Sequence, residues 1–327
     1  MDYPSFSKLL LVGFAIGTIF GGTSIQAATI HPTPQHAWRY SQKSAWYHDD
    51  STSKYYRQVW DKANATWSKK GFNWKKTKGS SKTTVKNVKS NDIAWVGMTW
   101  TNNPSGMYIH KNLVVVNQTL LNKLRYTKQQ QINVAAHELG HALGIHHNHD
   151  NSISVMNPAN RYYGIQNCDV AGMKKIYSKK YVGRSKLKSL ATTNVSRGFV
   201  SHDYASETIK QPAALKLQAK TIVRAKVAQV SDDQDFYSRI KLQQVEVLKG
   251  KFDANKNVRQ SGNSFNDVAD SQVLKTGEEV ILALADNGDH YLPVASGNSI
   301  FVATAQANSY QQLSTGLHFE LADFNLN

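Results

Sequence analysis

Residues 137–147 read HELGHALGIHH, and this stretch sets the expectation for everything around it. In a helix, residues four apart project from one face, so His137 and His141 can converge on a single metal ion. Glu138 points toward the adjoining open position and is the only glutamate before Glu207. A catalytic zinc site takes three protein ligands plus water, and a straight helix would carry the next residue away from the ion. Gly144 can adopt a left-handed conformation, end the helix and turn the chain so that His147 returns as third ligand. His146, His149 and Asp150 crowd the same loop and stay as alternative ligands, because spacing after a helix break is not rigid. Histidine supplies 12 and glutamate 6 of the 327 residues. At those frequencies a chance HExxH arises in roughly one per hundred such chains, and requiring Gly144 and His147 lowers this about 400-fold. A merely charged surface helix is the weaker account.

Working outward, Thr127 is a candidate cap for a helix that runs to Leu143. Upstream, Tyr56, Trp60, Ala63 and Trp67 recur at helical spacing and stop before Gly71, predicting a helix over 53–70 that buries this stripe in the core. Two short β-branched and aromatic runs, 93–100 and 113–117, read as strands separated by a turn at Asn103-Pro104-Ser105-Gly106. A further helix begins near Asp169. This mixture predicts an α+β first half. The region from 220 to 327 reads as all-β, with strands at 221–230, 240–248, 280–285 and 291–294 broken by Gly250, Gly262, Gly277 and Gly288. Apolar parity shifts between Ile240, Leu242 and Val245, Val247, which fits a bulge in a small barrel or sandwich. Residues 182–219 are serine-rich, lack a sustained period and read as a linker.

Composition frames these elements. The chain is 40% hydrophobic and 19% charged, enough apolar material for packed cores, which excludes a disordered or collagen-like polymer. Lysine plus arginine exceed aspartate plus glutamate by 39 to 23, giving +16. The excess is one-sided: residues 28–186 carry 24 basic and 7 acidic side chains, residues 187–327 carry 14 and 15. Anionic cell-wall polymers are therefore expected contacts for the first half, whereas its scattered lysines do not argue for nucleic acid. Lys8, an apolar run over 9–20 and the small-residue site ending at Ala27 predict a signal peptide over 1–27. That run is short of the ~20 residues needed to span a bilayer. Secretion, with retention at the cell envelope as an extension of it, is the expected localisation. Cys168 is the single cysteine, so no internal disulfide can form, and its expected role is that of a small buried residue.

The zinc-motif stretch resembles the metzincin metallopeptidases, whose signature HExxHxxGxxH is followed by a methionine turn. Met156, in SISVMNP, lies nine residues beyond His147 and matches that turn. Pro158, two residues after it, and DVAGMKKIY at 169–177 are similar to matrixin segments. The likeness covers about residues 38–181. It implies a twisted mixed sheet with an active-site helix, Zn²⁺ held by His137, His141 and His147, and Glu138 as general base. Astacins and serralysins carry a tyrosine where Pro158 stands, so no tyrosine ligand is expected, and Tyr162 and Tyr163 are expected with Pro158 along the substrate pocket wall. Matrixin latency through a propeptide cysteine is excluded, since no cysteine precedes the domain. The expectation is a secreted zinc endopeptidase acting on proteins or peptides laid extended beside a strand within 93–110. The competing reading is a basic envelope- or polyanion-binding protein whose histidines hold a metal without catalysis.

Overall fold

The computed structural model describes residues 30–90, 95–102, 107–150, 152–180, 198–204, 212–234, 236–269 and 271–324. The expected signal peptide, the turn at 103–106 and most of the expected linker lie outside these residues.

The first sheet is built from β1 (Ser44–Asp49), β2 (Asn73–Thr77), β3 (Thr83–Val88), β4 (Trp95–Asn102) and β5 (Lys111–Asn117) in the order β4-β5-β3-β1-β2. β1, β2, β3 and β5 run parallel, whereas β4 is antiparallel to β5. Two helices cover one face. Helix α1 (Lys54–Lys69) is capped by Ser53 and buries Tyr56, Trp60, Ala63 and Trp67, the stripe its periodicity predicts. Helix α3 (Lys128–Leu143) starts with a full capping box in which Thr127 and Gln130 satisfy each other's backbone N–H groups. Between β5 and α3 lies the short α2 (Gln118–Lys123), and α4 (Asn167–Ser178) closes the region. The two strand runs read from sequence appear as β4 and β5; the polar strands β1, β2 and β3 show little of the alternation that makes a strand visible in sequence.

Buried polar bonds fix α3 in register on the sheet. Trp67 Nε1 donates to the Ala136 carbonyl at 2.8 Å, tying α1 to α3 one residue before His137. Asn112 Nδ2 donates to the Ala142 carbonyl at 2.9 Å and to Tyr40 Oη at 2.7 Å, and Tyr40 also bonds Thr83. Burial raises the Tyr40 phenol far above its ordinary range, so it stays protonated and can serve in this network.

The all-β half is a barrel. β7 (Thr221–Asp232), β8 (Tyr237–Lys249), β9 (Asn257–Ser261), β11 (Glu279–Asp286) and β12 (His290–Pro293) close on themselves in the order β7-β8-β9-β12-β11. Three register shifts interrupt the long β7–β8 pairing, and Gln244 sits at φ +52°, which accounts for the change of apolar parity in this strand. β11 is buried on both faces: Val280, Leu282 and Leu284 fill the barrel, while Ile281 and Ala283 pack under Leu215, Phe301, Tyr310 and Phe324. β13 (Ile300–Ala303), β14 (Ser309–Gln312) and β15 (His318–Glu320) extend the sheet beyond β11.

The described residues within 182–219 depart from the reading of that stretch as a linker. Residues Gly198–Tyr204 form β6, antiparallel to β4, and Pro212–Gln218 form helix α5 with Leu215 buried. β10 (Asn266–Val268), from within the barrel half, pairs in parallel with β6 and completes a seven-stranded first sheet. Composition hid β6 because GFVSHDY offers only Phe199 and Val200 as apolar residues, one for each face.

Replacing Trp67 by Ala removes a fully buried indole and its bond to α3. A loss of about 3–5 kcal/mol is expected, measurable by urea unfolding.

Candidate metal centre

The three motif histidines meet. His137, His141 and His147 are fully buried, and one nitrogen from each lies within 4.8 Å of the others. Their ring centroids are 4.6–5.2 Å apart. Among the described residues this is the one group of three or more histidine, cysteine or carboxylate side chains so arranged. The turn that brings His147 back is made by Gly144, the helix C-cap at φ +112°, a left-handed conformation that costs a residue with a Cβ about 1–2 kcal/mol. The Trp38 carbonyl also stands 2.6 Å from where such a Cβ would be.

The direction of each lone pair follows from the second nitrogen. His137 Nδ1 bonds the Val155 carbonyl at 2.8 Å and His141 Nδ1 bonds the Ile145 carbonyl at 3.0 Å. A carbonyl can only accept, so both Nδ1 atoms carry a proton, and in the neutral ring Nε2 then presents a lone pair. Those two Nε2 atoms are 3.0 Å apart. Two acceptors at this separation repel unless a cation lies between them, so the donor set fits a divalent metal with imidazole preference, Zn²⁺ foremost. Burial, reinforced by the neighbouring His147, His137, His36 and His146, pushes the His141 imidazole well below its ordinary pKa. The ring stays neutral and available as a ligand.

Glu138 is fully buried beside this group. Thr99, on β4, donates to its Oε2 at 2.7 Å and lies 2.9 Å from its carbonyl oxygen. Gly97, two residues earlier on the same strand, gives the carboxylate its space, since a Cβ there would collide with Glu138 Oε1, Cγ and Cδ. Neither Thr99 nor Gly97 was singled out from the sequence. Their role depends on β4 crossing α3, which no local pattern encodes.

The alternative ligands lie outside the converging trio, although the rings of His146 and His149 each stand 5.8 Å from that of His147. His146 accepts the His147 backbone N–H on Nδ1 at 2.7 Å and turns its ring toward His36, 4.7 Å away. His149 is exposed, and Asp150 is exposed with its carboxylate accepting from the Ser152 N–H at 2.9 Å. His36 and Trp38, stacked at 4.3 Å, are a further pair that sequence patterns did not reveal. They arrive because residues 34–36 bond back to Gly144 and His146, with Gln35 bridging Ile145.

Asp169 holds the loop behind His137. Its buried carboxylate accepts from Thr33 Oγ1 at 2.8 Å, from Ser154 Oγ, and from the backbone N–H groups of Val155 and Gln166, both at 2.9 Å. Val155 is the residue whose carbonyl orients His137, so the carboxylate acts on that ring through a single residue. Met156 follows, fully buried, with Sδ so close over Gly140 that no Cβ would fit. Pro158 is half-buried, and Tyr162 and Tyr163 are exposed on a loop ordered by Asn160, which bonds the carbonyls of Val155 and Tyr163. Cys168 is a buried free thiol, as its reading from sequence has it.

Asp169→Asn keeps the volume but removes the charge and turns a donor toward donors. Thermal unfolding should show a loss of about 3 kcal/mol or more, and metal stoichiometry at limiting zinc should fall with it.

Comparison with known proteins gives the class. No curated protein matches the chain. The reprolysin-type model of metallo-peptidase family M12 matches residues 22–186, half of the chain and all of the metal centre. With that match and three converging histidines, the chain belongs to metallo-peptidase family M12, a zinc-dependent class acting on proteins or peptides.

Proposed function

We propose that this chain is a secreted zinc endopeptidase in which His137, His141 and His147 hold the metal and Glu138 is the general base. The observation that carries the reading is the pair of Nε2 lone pairs 3.0 Å apart beside a buried carboxylate. Zinc bound there would supply a Lewis acid and lower the pKa of a coordinated water toward ~7. Glu138 takes a proton from the attacking water on its carboxylate and returns it to the leaving amine. Thr99 donates to Oε2 at 2.7 Å and so fixes the orientation of the carboxylate for proton transfer. The dry surroundings strengthen each of these electrostatic contacts.

Met156 beneath Gly140 supports the methionine-turn reading, and Pro158 with the segment 169–177 supports a matrixin-like wall, with Tyr162 and Tyr163 along the substrate pocket. Export rests on the features of residues 1–27, and no helix among the described residues is long and apolar enough to cross a membrane. The excess of 24 basic over 7 acidic residues in 28–186 supports retention of the enzyme on anionic cell-wall polymers.

Glu138→Ala should retain one zinc per chain and lose about 10²–10⁴-fold in peptide hydrolysis. His147→Ala should lose the metal itself. Zinc stoichiometry and cleavage of a quenched peptide library, with and without a chelator, measure both. Undiminished hydrolysis by the Glu138→Ala protein would discard Glu138 as the base, whereas a zinc-loaded parent chain that cleaves no peptide would leave the non-catalytic, polyanion-binding account standing.

A further inference from the structure

A sheet edge offers unpaired N–H and C=O groups, and an extended peptide binds by completing it. In the five-stranded arrangement β4-β5-β3-β1-β2, the open edge beside Glu138 belongs to β4, the strand that carries Gly97 and Thr99. The chain fills that edge itself. β6 runs antiparallel along it from Asn102↔Gly198 to Trp95↔Tyr204, with Ser201 opposite Thr99 and Phe199 opposite Thr101. The Val200 carbonyl accepts from Ala269 on the far side, so Phe199 and Ser201 are the residues that turn their backbone groups toward β4.

Side chains follow the same alternation. Val200 faces outward into a cluster with Trp95, Met98 and Val115. Phe199 lies on the face of Thr99 and Thr101, its ring 4.9 Å from His36, 5.0 Å from Trp38 and 6.2 Å from His146. His36 is in turn 6.1 Å from His141. An aromatic residue therefore occupies an aromatic recess next to the metal ligands, and a small residue sits opposite the Thr99 that orients Glu138.

We propose that Gly198–Tyr204 is an internal peptide ligand of the β4 edge: a substrate must displace it, and the preferred substrate is an extended segment carrying an aromatic residue where Phe199 lies and a small one where Ser201 lies. This rests on the peptidase reading above. Being covalently attached, β6 competes at an effective concentration on the order of mM. The intact chain is held in a low-activity state, and whatever withdraws β6 raises activity.

Two full-length, zinc-loaded variants test this. Ser201→Pro removes a backbone donor to β4, and Phe199→Ala removes the half-exposed side-chain anchor while keeping every backbone group. Both should raise kcat/KM for peptide hydrolysis about tenfold or more, chiefly through KM. Placed in the Glu138→Ala background, both should bind a labelled synthetic peptide of sequence GFVSHDY, measured by fluorescence anisotropy, whereas the parent should not. Hydrogen exchange at Gly97–Asn102 should rise in the variants and fall again when the peptide is added. Folded variants with exposed β4 amides, no peptide binding and no gain in turnover would overturn the proposal. Peptide binding without hydrolysis by any form would uphold the occupied edge and instead refute the peptidase reading.

Discussion

Two buried imidazoles whose Nε2 atoms aim at one point are the constraint around which this protein is organised. His137 Nε2 and His141 Nε2 lie 3.0 Å apart, and both rings are held there by Nδ1 bonds to the carbonyls of Val155 and Ile145. A cation shared by these rings would be held by groups brought together only in the folded chain, so metal affinity and folding stability would be linked. Burial favours the neutral form of His141.

Each support of that arrangement can be followed to a distant part of the chain. The Val155 carbonyl points correctly because Asp169, at the start of α4, holds the Val155 N–H and three further donors. The Ile145 carbonyl is where it is because Gly144 ends α3 in a left-handed turn and residues 34–36 bond to both flanks of that turn. α3 itself is held in register by the Trp67 and Asn112 bonds to its carbonyls. Such second-layer bonds commonly change metal affinity by about 10–100-fold when lost.

The barrel half is joined to the sheet that bears the site. Phe236 stacks on Trp100 at 5.6 Å, Tyr237 Oη accepts from Trp95 Nε1 at 3.0 Å, and Asn266 Oδ1 accepts from Trp100 Nε1 at 2.8 Å. All three contacts fall on β4, the strand that shapes the Glu138 pocket. Together with β6 and β10, they connect the accessory half to the strand nearest the carboxylate.

The sequence by itself determined the parts that are local. HELGHALGIHH carries its geometry within one helix and one turn, so spacing of 3.6 residues and the freedom of Gly144 were enough to expect three imidazoles to converge. The aromatic stripe of α1, the Thr127 cap and the strand at 280–285 were legible for the same reason. Tertiary structure alone decided which groups come from far away: Thr99 and Gly97 against Glu138, Asp169 behind Val155, His36 and Trp38 beside the ligands, and β6 along the β4 edge. Strand pairing is set by backbone groups that every residue carries, so a segment as nondescript as GFVSHDY can hold an edge beside the metal centre without advertising it.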